Sequence, residues 1–254
     1  MLGKRIHDVI DMVEEFFTGD EKLDYLEPFV GFCGVMKHFG KEGDRKLTGC
    51  DANKNVISMW KALQRGWKPP TKCDKNTYEL LKQSTKVSPE KGFIGVACSY
   101  SGIYFVGYRG TQTYNKSRGR GAKVVESAEM TARSVVKMTS DLKKVRFSVC
   151  DYQKLRPKDK LIYCDPPYAT NKYQQSKFFD FDSEKFWQIM REWSRDNIVI
   201  ISEYKAPADF KCIWQSKINV IHNGKQNAKV EKLFMYKDDV DEFDATFKKE
   251  LKMV

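Results

Sequence analysis

The chain has 254 residues, with 45 Lys and Arg against 34 Asp and Glu and a formal net charge of +11. This length favours one ordinary domain with a smaller inserted lobe and leaves little room for two full domains. The many acidic residues exclude a basic disordered tail, and the positive excess suits a polyanion such as a nucleic acid. A net positive charge alone is also compatible with a basic protein that binds no nucleic acid.

The first segment, MLGKRIHDVIDMVEEFF, carries charges throughout. Its apolar residues recur at helical spacing, so we predict an amphipathic helix that ends at a turn over 18–20. The segment lacks the uninterrupted apolar core that a signal peptide or a membrane span requires. We therefore expect a soluble protein, cytoplasmic or otherwise intracellular in a virus-infected host, without membrane association.

The following residues alternate between short strands and helices. Strands at 23–30 and 47–50 are followed by helices that begin near Gly34 and Val56. This rhythm is typical of a parallel sheet with helices on its faces, in which ligands bind at the carboxyl ends of the strands. The sequence therefore predicts an α/β fold.

The rhythm breaks after Lys68, at Pro69 and Pro70. A short helix at 78–82 and an aromatic, glycine-rich stretch follow, and the region ends in RGTQTYNKSRGRG. We interpret 68–121 as an inserted lobe, with the main domain formed by 1–67 and 122–254.

The remainder of the chain returns to helices and strands that complete a mostly parallel sheet. An antiparallel hairpin across Asn223-Gly224 closes the sheet, and the charged tail after Lys237 is expected to be a solvated helix or a frayed end. The predicted helices lie at 126–142 and 186–193, and the predicted strands at 145–149, 161–164, 197–202, 211–221 and 229–236.

The cysteines and histidines argue against a metal site. Seven cysteines lie far apart without a C-x-x-C pair, and none of the three histidines has metal-ligand spacing to another histidine or to a cysteine. We expect reduced thiols, no zinc and no other catalytic metal.

The most informative motif is Asp165-Pro166-Pro167-Tyr168, directly after the apolar strand 161–164. Pro166 has no N–H, and Pro167 keeps it out of the α region, so the Pro166 carbonyl is held as an acceptor that points into the cleft. Together with the Asp165 carboxylate it offers two acceptors to an amino group, while Tyr168 can stack on a planar base.

Two acceptors of this kind suit chemistry at an exocyclic amino group. The lone pair of such a nitrogen is delocalised into the ring, and acceptors on its hydrogens favour a more pyramidal, more reactive nitrogen. Positive charge also develops there as a methyl group arrives, and one lost stabilising group in such a site costs on the order of 3 kcal/mol. A proline-rich turn after a strand also occurs in unrelated proteins, so the motif alone leaves its function open.

A second motif, EPFVGFCG over 27–34, places glycines where a backbone must approach a ligand closely. It is neither G-x-G-x-x-G nor a phosphate-binding lysine loop, which disfavours a dinucleotide or a nucleoside triphosphate. A purely structural turn is the alternative. Asp51, at the end of the next strand, either accepts bonds from ribose hydroxyls or serves as a helix N-cap.

The order GK, EPFVGFCG, CDAN, CDY, YCDPPY and VIISEY resembles the Dam-like adenine-N6 DNA methyltransferases over nearly the whole chain. In that family the glycine loop precedes a target-recognition insert and the D-P-P-Y turn follows it. The stretch VACSYSGIYFVGYRG, with Glu126 and Arg133 in the helix after it, resembles the variant found in phage and viral genomes.

The resemblance implies a Rossmann-like S-adenosylmethionine-dependent methyltransferase fold and direct in-line transfer, with no covalent intermediate and no metal. It implies that the cofactor pocket is lined by Lys4, Phe29, Gly31, Gly34 and Asp51. It assigns the adenine of the cofactor to Asp151 and Tyr152. It assigns the methyl acceptor to Asp165, Pro166, Pro167 and Tyr168, with Asp165 also near the cofactor.

A glycine-interspersed basic loop is expected to contact double-stranded DNA. Such a loop can follow a groove and place cations on phosphates or guanine edges, although most basic loops are only solvated. A stacked adenine hides its N6, so the target base must leave the duplex. We expect a monomer, with any cognate restriction endonuclease acting separately. The predicted DNA contacts are Arg109, Lys116, Arg118 and Arg120, with Tyr114 as a wedge or a stacking partner.

Two other classes of function remain open. The same pocket suits an N4-cytosine methyltransferase or an RNA amino-methyltransferase such as those that modify guanine N2. A catalytically silent DNA-binding relative is the other alternative, and the joint retention of Asp165, Tyr168, Gly31 and Asp51 disfavours it.

Overall fold

The protein contains two compact units. We describe it from a computed structural model, over residues 2–40, 45–115, 122–167, 181–222 and 225–254. The first unit comprises residues 1–50 and 150–254, and the second comprises residues 51–149. The predicted lobe 68–121 lies inside the second unit, which continues beyond the lobe on both sides.

The helices and strands of the described residues follow one another in the order expected for an α/β protein. They are α1 (Leu2–Thr18), β1 (Asp24–Glu27), α2 (Met36–Phe39), β2 (Leu47–Asp51), α3 (Lys54–Gln64), α4 (Lys75–Gln83), α5 (Pro89–Ala97), β3 (Thr111–Asn115), β4 (Ala122–Glu126), α6 (Ser127–Met138), β5 (Arg146–Val149), β6 (Lys160–Cys164), α7 (Ser183–Trp193), β7 (Ile198–Ser202), β8 (Phe210–His222), β9 (Lys225–Tyr236), α8 (Lys237–Asp241) and α9 (Ala245–Leu251).

The first unit is built on a sheet with the strand order β2-β1-β6-β7-β9-β8. The first four of these strands are parallel, and β9 is antiparallel to both β7 and β8. The apolar runs of β6 and β7 are buried, a pattern typical of parallel strands covered on both faces. The predicted α/β fold, with a mostly parallel sheet and an antiparallel hairpin, is confirmed.

The first strand ends earlier than the sequence predicts. We expected a strand over 23–30, whereas β1 ends at Glu27. The next residue, Pro28, has no N–H to offer to a neighbouring strand. The early end leaves residues 28–35 free to form the loop above the sheet.

The charged tail packs against the first unit instead of fraying. Phe247 of α9 lies against Phe16 of α1 with ring centroids 4.5 Å apart, and Phe243 lies 5.0 Å from the same ring. The expectation of a solvated or frayed end is therefore wrong. Most of its charged residues are exposed, while Phe243 and Phe247 are buried at helical spacing, a weak signal in so polar a segment.

The second unit contains a helix, α5, that we did not predict. Ser88 caps it by accepting a hydrogen bond from the Lys91 amide at 3.1 Å, and Pro89 occupies its first turn. Gly92 and Gly95 suggested a loop because glycine disfavours helix interiors. In the structure Gly92 lets α5 approach the backbone of α3, since an added Cβ would come within 2.1 Å of the Asn55 carbonyl.

The second unit also contains an antiparallel pair, β3 and β4, within the stretch that we had left without strands. The helix α6 follows β4 directly and begins at Ser127, whose amide donates to the Gly110 carbonyl at 2.9 Å. Along the described residues, no helix combines the length and the apolar character that crossing a membrane requires.

Candidate active site

The carboxyl ends of three neighbouring parallel strands bring acidic groups to one edge of the sheet. Glu27 ends β1, Asp165 follows the end of β6, and Glu203 follows the end of β7. The registers Leu26 with Ile162 and Cys164 with Ile201 align these ends. An edge of this kind is where α/β enzymes hold their ligands.

The turn after β6 is anchored on one side and open on the other. Pro166 is buried, Pro167 is half-buried, and Asp165 is exposed. The carboxylate is therefore accessible to a substrate while the proline beside it is held by packing. The fourth residue of the motif, Tyr168, lies outside the described residues.

Glu27 is a buried acid that we did not single out from the sequence. It is 3% exposed and accepts a hydrogen bond from the Tyr25 hydroxyl at 2.8 Å, and another from the backbone N–H of Met36. Burial, with a further contribution from the negative charge of Asp165, raises the pKa of Glu27 to about 8. At neutral pH this side chain is mostly protonated.

The end of β7 carries a second polar cluster. The Ser202 hydroxyl donates to a carboxylate oxygen of the buried Glu231 at 2.6 Å and also bonds with Tyr163. Burial raises the pKa of Tyr204, with a smaller contribution from the negative charge of Asp165. The Lys229 ammonium lies 5.7 Å from the centroid of the Tyr204 ring. Sequence reasoning assigned no role to this cluster, although its SEY triplet belongs to the quoted motif order.

Two residues predicted to hold the cofactor meet in an aromatic cluster at this edge. The rings of Phe29 and Tyr152 are 5.0 Å apart, and the rings of Phe181 and Phe186 lie 5.8 to 6.3 Å from these two. Burial raises the pKa of Tyr152 to about 12, so its phenol stays neutral. Tyr152 and Phe186 of this cluster are buried, whereas Phe29 and Phe181 are half-buried.

The glycine loop has the backbone conformation that its sequence suggests. Gly31 has φ +44°, a left-handed value that glycine adopts without strain, and Cys33 has φ +55°. The loop is closed by a bond from the Cys33 amide to the Val30 carbonyl at 2.8 Å. Gly34 is exposed, and a Cβ added there would meet no atom of the described residues within 4 Å.

Gly3 is a residue that sequence reasoning missed. An added Cβ at this position would lie 2.3 Å from the Gly34 carbonyl oxygen, so α1 reaches the glycine loop only because Gly3 has no side chain. A glycine in the first turn of a helix is an unfavourable choice for helix stability. That mismatch was the available signal.

The remaining predicted cofactor residues have local partners. Lys4 is exposed and pairs with Asp8 one turn further along α1. The exposed Asp151 accepts the Gln153 amide at 3.0 Å. Asp51 accepts the Asn53 amide at 2.8 Å.

The N-cap of α3 is Asn53, which accepts bonds from the amides of Asn55 and Val56. The alternative interpretation of Asp51 as the helix N-cap is therefore wrong. Its place at the end of β2 is unchanged, and the ribose contact stays a prediction.

Most of the predicted DNA contacts lie outside the described residues. This holds for Lys116, Arg118 and Arg120, while Tyr114 is described only through its backbone, which pairs with Lys123 across β3 and β4. Arg109 is half-buried, and its amide donates to the Cys98 carbonyl at 2.7 Å.

Comparison with known families identifies the class of reaction. A family model for D12 class N6 adenine-specific DNA methyltransferases matches residues 5–230. The chain belongs to this family. This methyltransferase acts on N6 of adenine in DNA with S-adenosylmethionine as the methyl donor, as the motif order predicts.

Other comparisons are more distant. No match is found among curated proteins. Among solved structures, this methyltransferase is similar to a proposed RNA methyltransferase from Pyrococcus horikoshii, with 8% identity, 90% of this chain and 81% of that chain covered, and a TM-score of 0.40. It is also similar to the rRNA methyltransferase AviRa from Streptomyces viridochromogenes, with 11% identity, 91% and 86% covered, and a TM-score of 0.37.

The residues at the edge fit a cationic, adenine-bearing cofactor. The left-handed turn at Gly31 and the open space at Gly34 allow close approach to the backbone, and the aromatic cluster around Phe29 and Tyr152 suits an adenine ring. The carboxyls of Glu27 and Asp165 suit a sulfonium. Within the described residues, no group of three or more His, Cys, Asp or Glu side chains is arranged to hold a metal ion.

Proposed function

We propose that this methyltransferase modifies an adenine everted from double-stranded DNA, and that Asp165, Pro166 and Pro167 form the acceptor platform for its amino group. One observation carries the proposal. The exposed Asp165 lies beside the buried Pro166 at the end of the central strand β6, next to the glycine loop. Packing around Pro166 holds the platform in place, while the exposed Asp165 leaves room for a base to enter.

Bound S-adenosylmethionine supplies an electrophilic methyl group on a sulfonium. The Asp165 carboxylate and the Pro166 carbonyl accept the two N6 hydrogens and leave the nitrogen lone pair facing the methyl group. As the carbon–nitrogen bond forms, the carboxylate stabilises the positive charge on nitrogen and is placed to take the departing proton. The transfer is direct, without a covalent bond to the protein.

The remaining site residues hold the two substrates. Phe29 and Tyr152 stack around the adenine of the donor, Gly31 and Gly34 admit its amino-acid part, and Tyr168 stacks on the everted base. Lys4, Asp51 and Asp151 complete the cofactor pocket in this proposal. Eversion is required because the N6 of a stacked adenine is out of reach of the donor.

The distribution of charge supports the second unit as the DNA-binding part. Residues 51–149 contain 19 of the 45 Lys and Arg but only 7 of the 34 Asp and Glu, a formal charge of +12, whereas the first unit has a charge of −1. A positive field confined to one unit attracts the phosphate backbone. We assign the contacts to the predicted lobe 68–121 and its loop with Arg109, Tyr114, Lys116, Arg118 and Arg120.

Removal of three cations from this loop should reduce the salt dependence of DNA binding. Each phosphate contact contributes about 0.9 to the slope of log affinity against log salt, so Lys116→Gln/Arg118→Gln/Arg120→Gln should lower the slope by about 2.7. Fluorescence anisotropy with a labelled duplex between 50 and 200 mM salt measures it.

A matched variant separates local contacts from net charge. Lys248→Gln/Lys249→Gln/Lys252→Gln removes the same charge from exposed positions in and beside α9, in the other unit. Its slope should stay close to that of the unmodified protein. Equal slopes for the two triple variants would show that the loop makes no phosphate contacts of its own.

The identity of the product tests the proposal as a whole. Expression in a host free of DNA methylation, followed by nucleoside analysis of DNA and RNA, should yield N6-methyladenine in DNA. N4-methylcytosine in DNA or methylated guanine in RNA would instead indicate one of the other amino-methyltransferases. Absence of any modified base would indicate a silent DNA-binding relative. We also propose that the chain acts as a monomer and that any restriction endonuclease is a separate protein.

A further inference from the structure

Glu27 occupies a position between the two parts of the proposed active site. It precedes the glycine loop, and its bond from the Met36 amide ties the far end of that loop to the end of β1. Through the parallel pairing of β1 and β6 it lies next to Tyr163 and Cys164, and it interacts electrostatically with Asp165. A donor held by the loop with its methyl group toward Asp165 would lie near the end of β1, which Glu27 occupies.

Among the described residues, the groups that interact with Glu27 carry no positive charge. The groups that face it are the Tyr25 hydroxyl from β1, the Tyr163 hydroxyl, the Cys164 thiol and the Asp165 carboxylate from β6, and the Met36 amide from α2. None of these described partners is a cation. A buried carboxyl of this kind resists ionisation until a positive charge is brought to it.

We propose that Glu27 responds to the charge of the cofactor: it loses its proton when the cationic donor binds and regains one when only the neutral thioether product remains. This inference rests on the proposed function. The sulfonium supplies the missing counter-charge, and the Glu27 carboxylate in return favours the donor over the product. The site thereby discriminates between two ligands that differ at the sulfur by one methyl group and one charge.

The accompanying proton is measurable without any methyl transfer. At pH 7.5 Glu27 is mostly protonated in the free protein, because burial raises its pKa to about 8. Binding of S-adenosylmethionine should release about half a proton or more beyond the protons that the ligand itself exchanges. Titration calorimetry in buffers of different ionisation enthalpy gives this number.

Glu27→Gln removes the titrating group while keeping the shape and an acceptor oxygen. For the sulfonium ligand, Glu27→Gln should release fewer protons than the unmodified protein by about half a proton or more. The affinity of the unmodified protein should rise by up to about 25-fold between pH 6.5 and 8.5, and Glu27→Gln should lack this rise. For S-adenosylhomocysteine, the two proteins should exchange equal numbers of protons.

Two further measurements keep the test decisive. Tyr25→Phe deletes a hydrogen bond that lowers the pKa of Glu27, so proton release should persist with its midpoint at higher pH. The raised pKa also means that the folded state binds more protons than the unfolded state above about pH 4.5, so stability should fall towards pH 8 in the unmodified protein and less in Glu27→Gln. This second trend reports on Glu27 without a ligand.

The outcomes distinguish this inference from the proposed function. Equal proton release by Glu27→Gln and the unmodified protein on binding the sulfonium would overturn the role of Glu27 while leaving the methyltransferase assignment intact. An extra release of the same size with S-adenosylhomocysteine would also overturn it, because the response would then not depend on sulfur charge. Absence of donor binding at every pH would instead contradict the proposed function.

Discussion

Asp165→Ala is expected to lower methyl transfer to adenine-containing duplex DNA by more than about 100-fold, since loss of one preorganised charge-stabilising group costs on the order of 3 kcal/mol. The fold should be unaffected because Asp165 is exposed and β6 is held by its buried apolar residues. Single-turnover transfer of a labelled methyl group measures the chemical step separately from product release. Asp165→Asn, which keeps one acceptor oxygen, should retain more activity than Asp165→Ala.

Asp196→Ala is the matched control for this result. Asp196 is also exposed, but it precedes β7 and thus lies at the opposite end of the sheet. Its substitution removes the same charge and should leave transfer within about twofold, as is usual for surface positions that change stability by less than 0.5 kcal/mol. Undiminished transfer by Asp165→Ala would refute the assignment of the acceptor platform.

Gly3→Ala is expected to destabilise the protein although alanine is the better helix former. Helix propensity alone predicts a gain of up to about 1 kcal/mol. The added methyl group, however, would lie 2.3 Å from a backbone oxygen of Gly34, and backbone cannot rotate away as a flexible side chain can. We expect a net loss of about 1 to 3 kcal/mol, measured by chemical unfolding.

Gly34→Ala probes the other side of the same contact. A methyl group there would meet none of the described residues within 4 Å, so the free energy of unfolding should change by less than about 0.5 kcal/mol. The methyl group would project into the open space beside the loop, where the donor is proposed to lie. The affinity of Gly34→Ala for the donor should fall about tenfold, equivalent to 1.4 kcal/mol.

For the first variant, a Gly3→Ala protein as stable as the unmodified protein would show that α1 can shift to accommodate the methyl group.

The local order of motifs could be recognised because each depends on neighbours in sequence. An apolar run followed by Asp165, Pro166 and Pro167 specifies a strand and a rigid turn without reference to distant residues. The alternation of strands and helices likewise limited the fold to a parallel α/β sheet, and the strand order agrees. The positive charge predicted a polyanionic substrate in the same way.

Other features depended on contacts across the chain. The helix α5 was missed because Gly92 is favourable in a helix only where α3 packs closely against it. The buried tail was missed because its phenylalanines are buried only by contact with Phe16, which is distant in sequence. Both misses came from local propensity being overridden by packing.

Sequence by itself determined the fold class, the order of the motifs and the family, since these rest on residue types at short spacing. The tertiary structure alone decided that Glu27 lies buried beside Asp165 and that Gly3 meets Gly34. The physical reason is that the ionisation of a carboxyl depends on its burial and on the charges around it, and a close backbone approach depends on two segments far apart in the chain. Neither quantity is a property of a single segment.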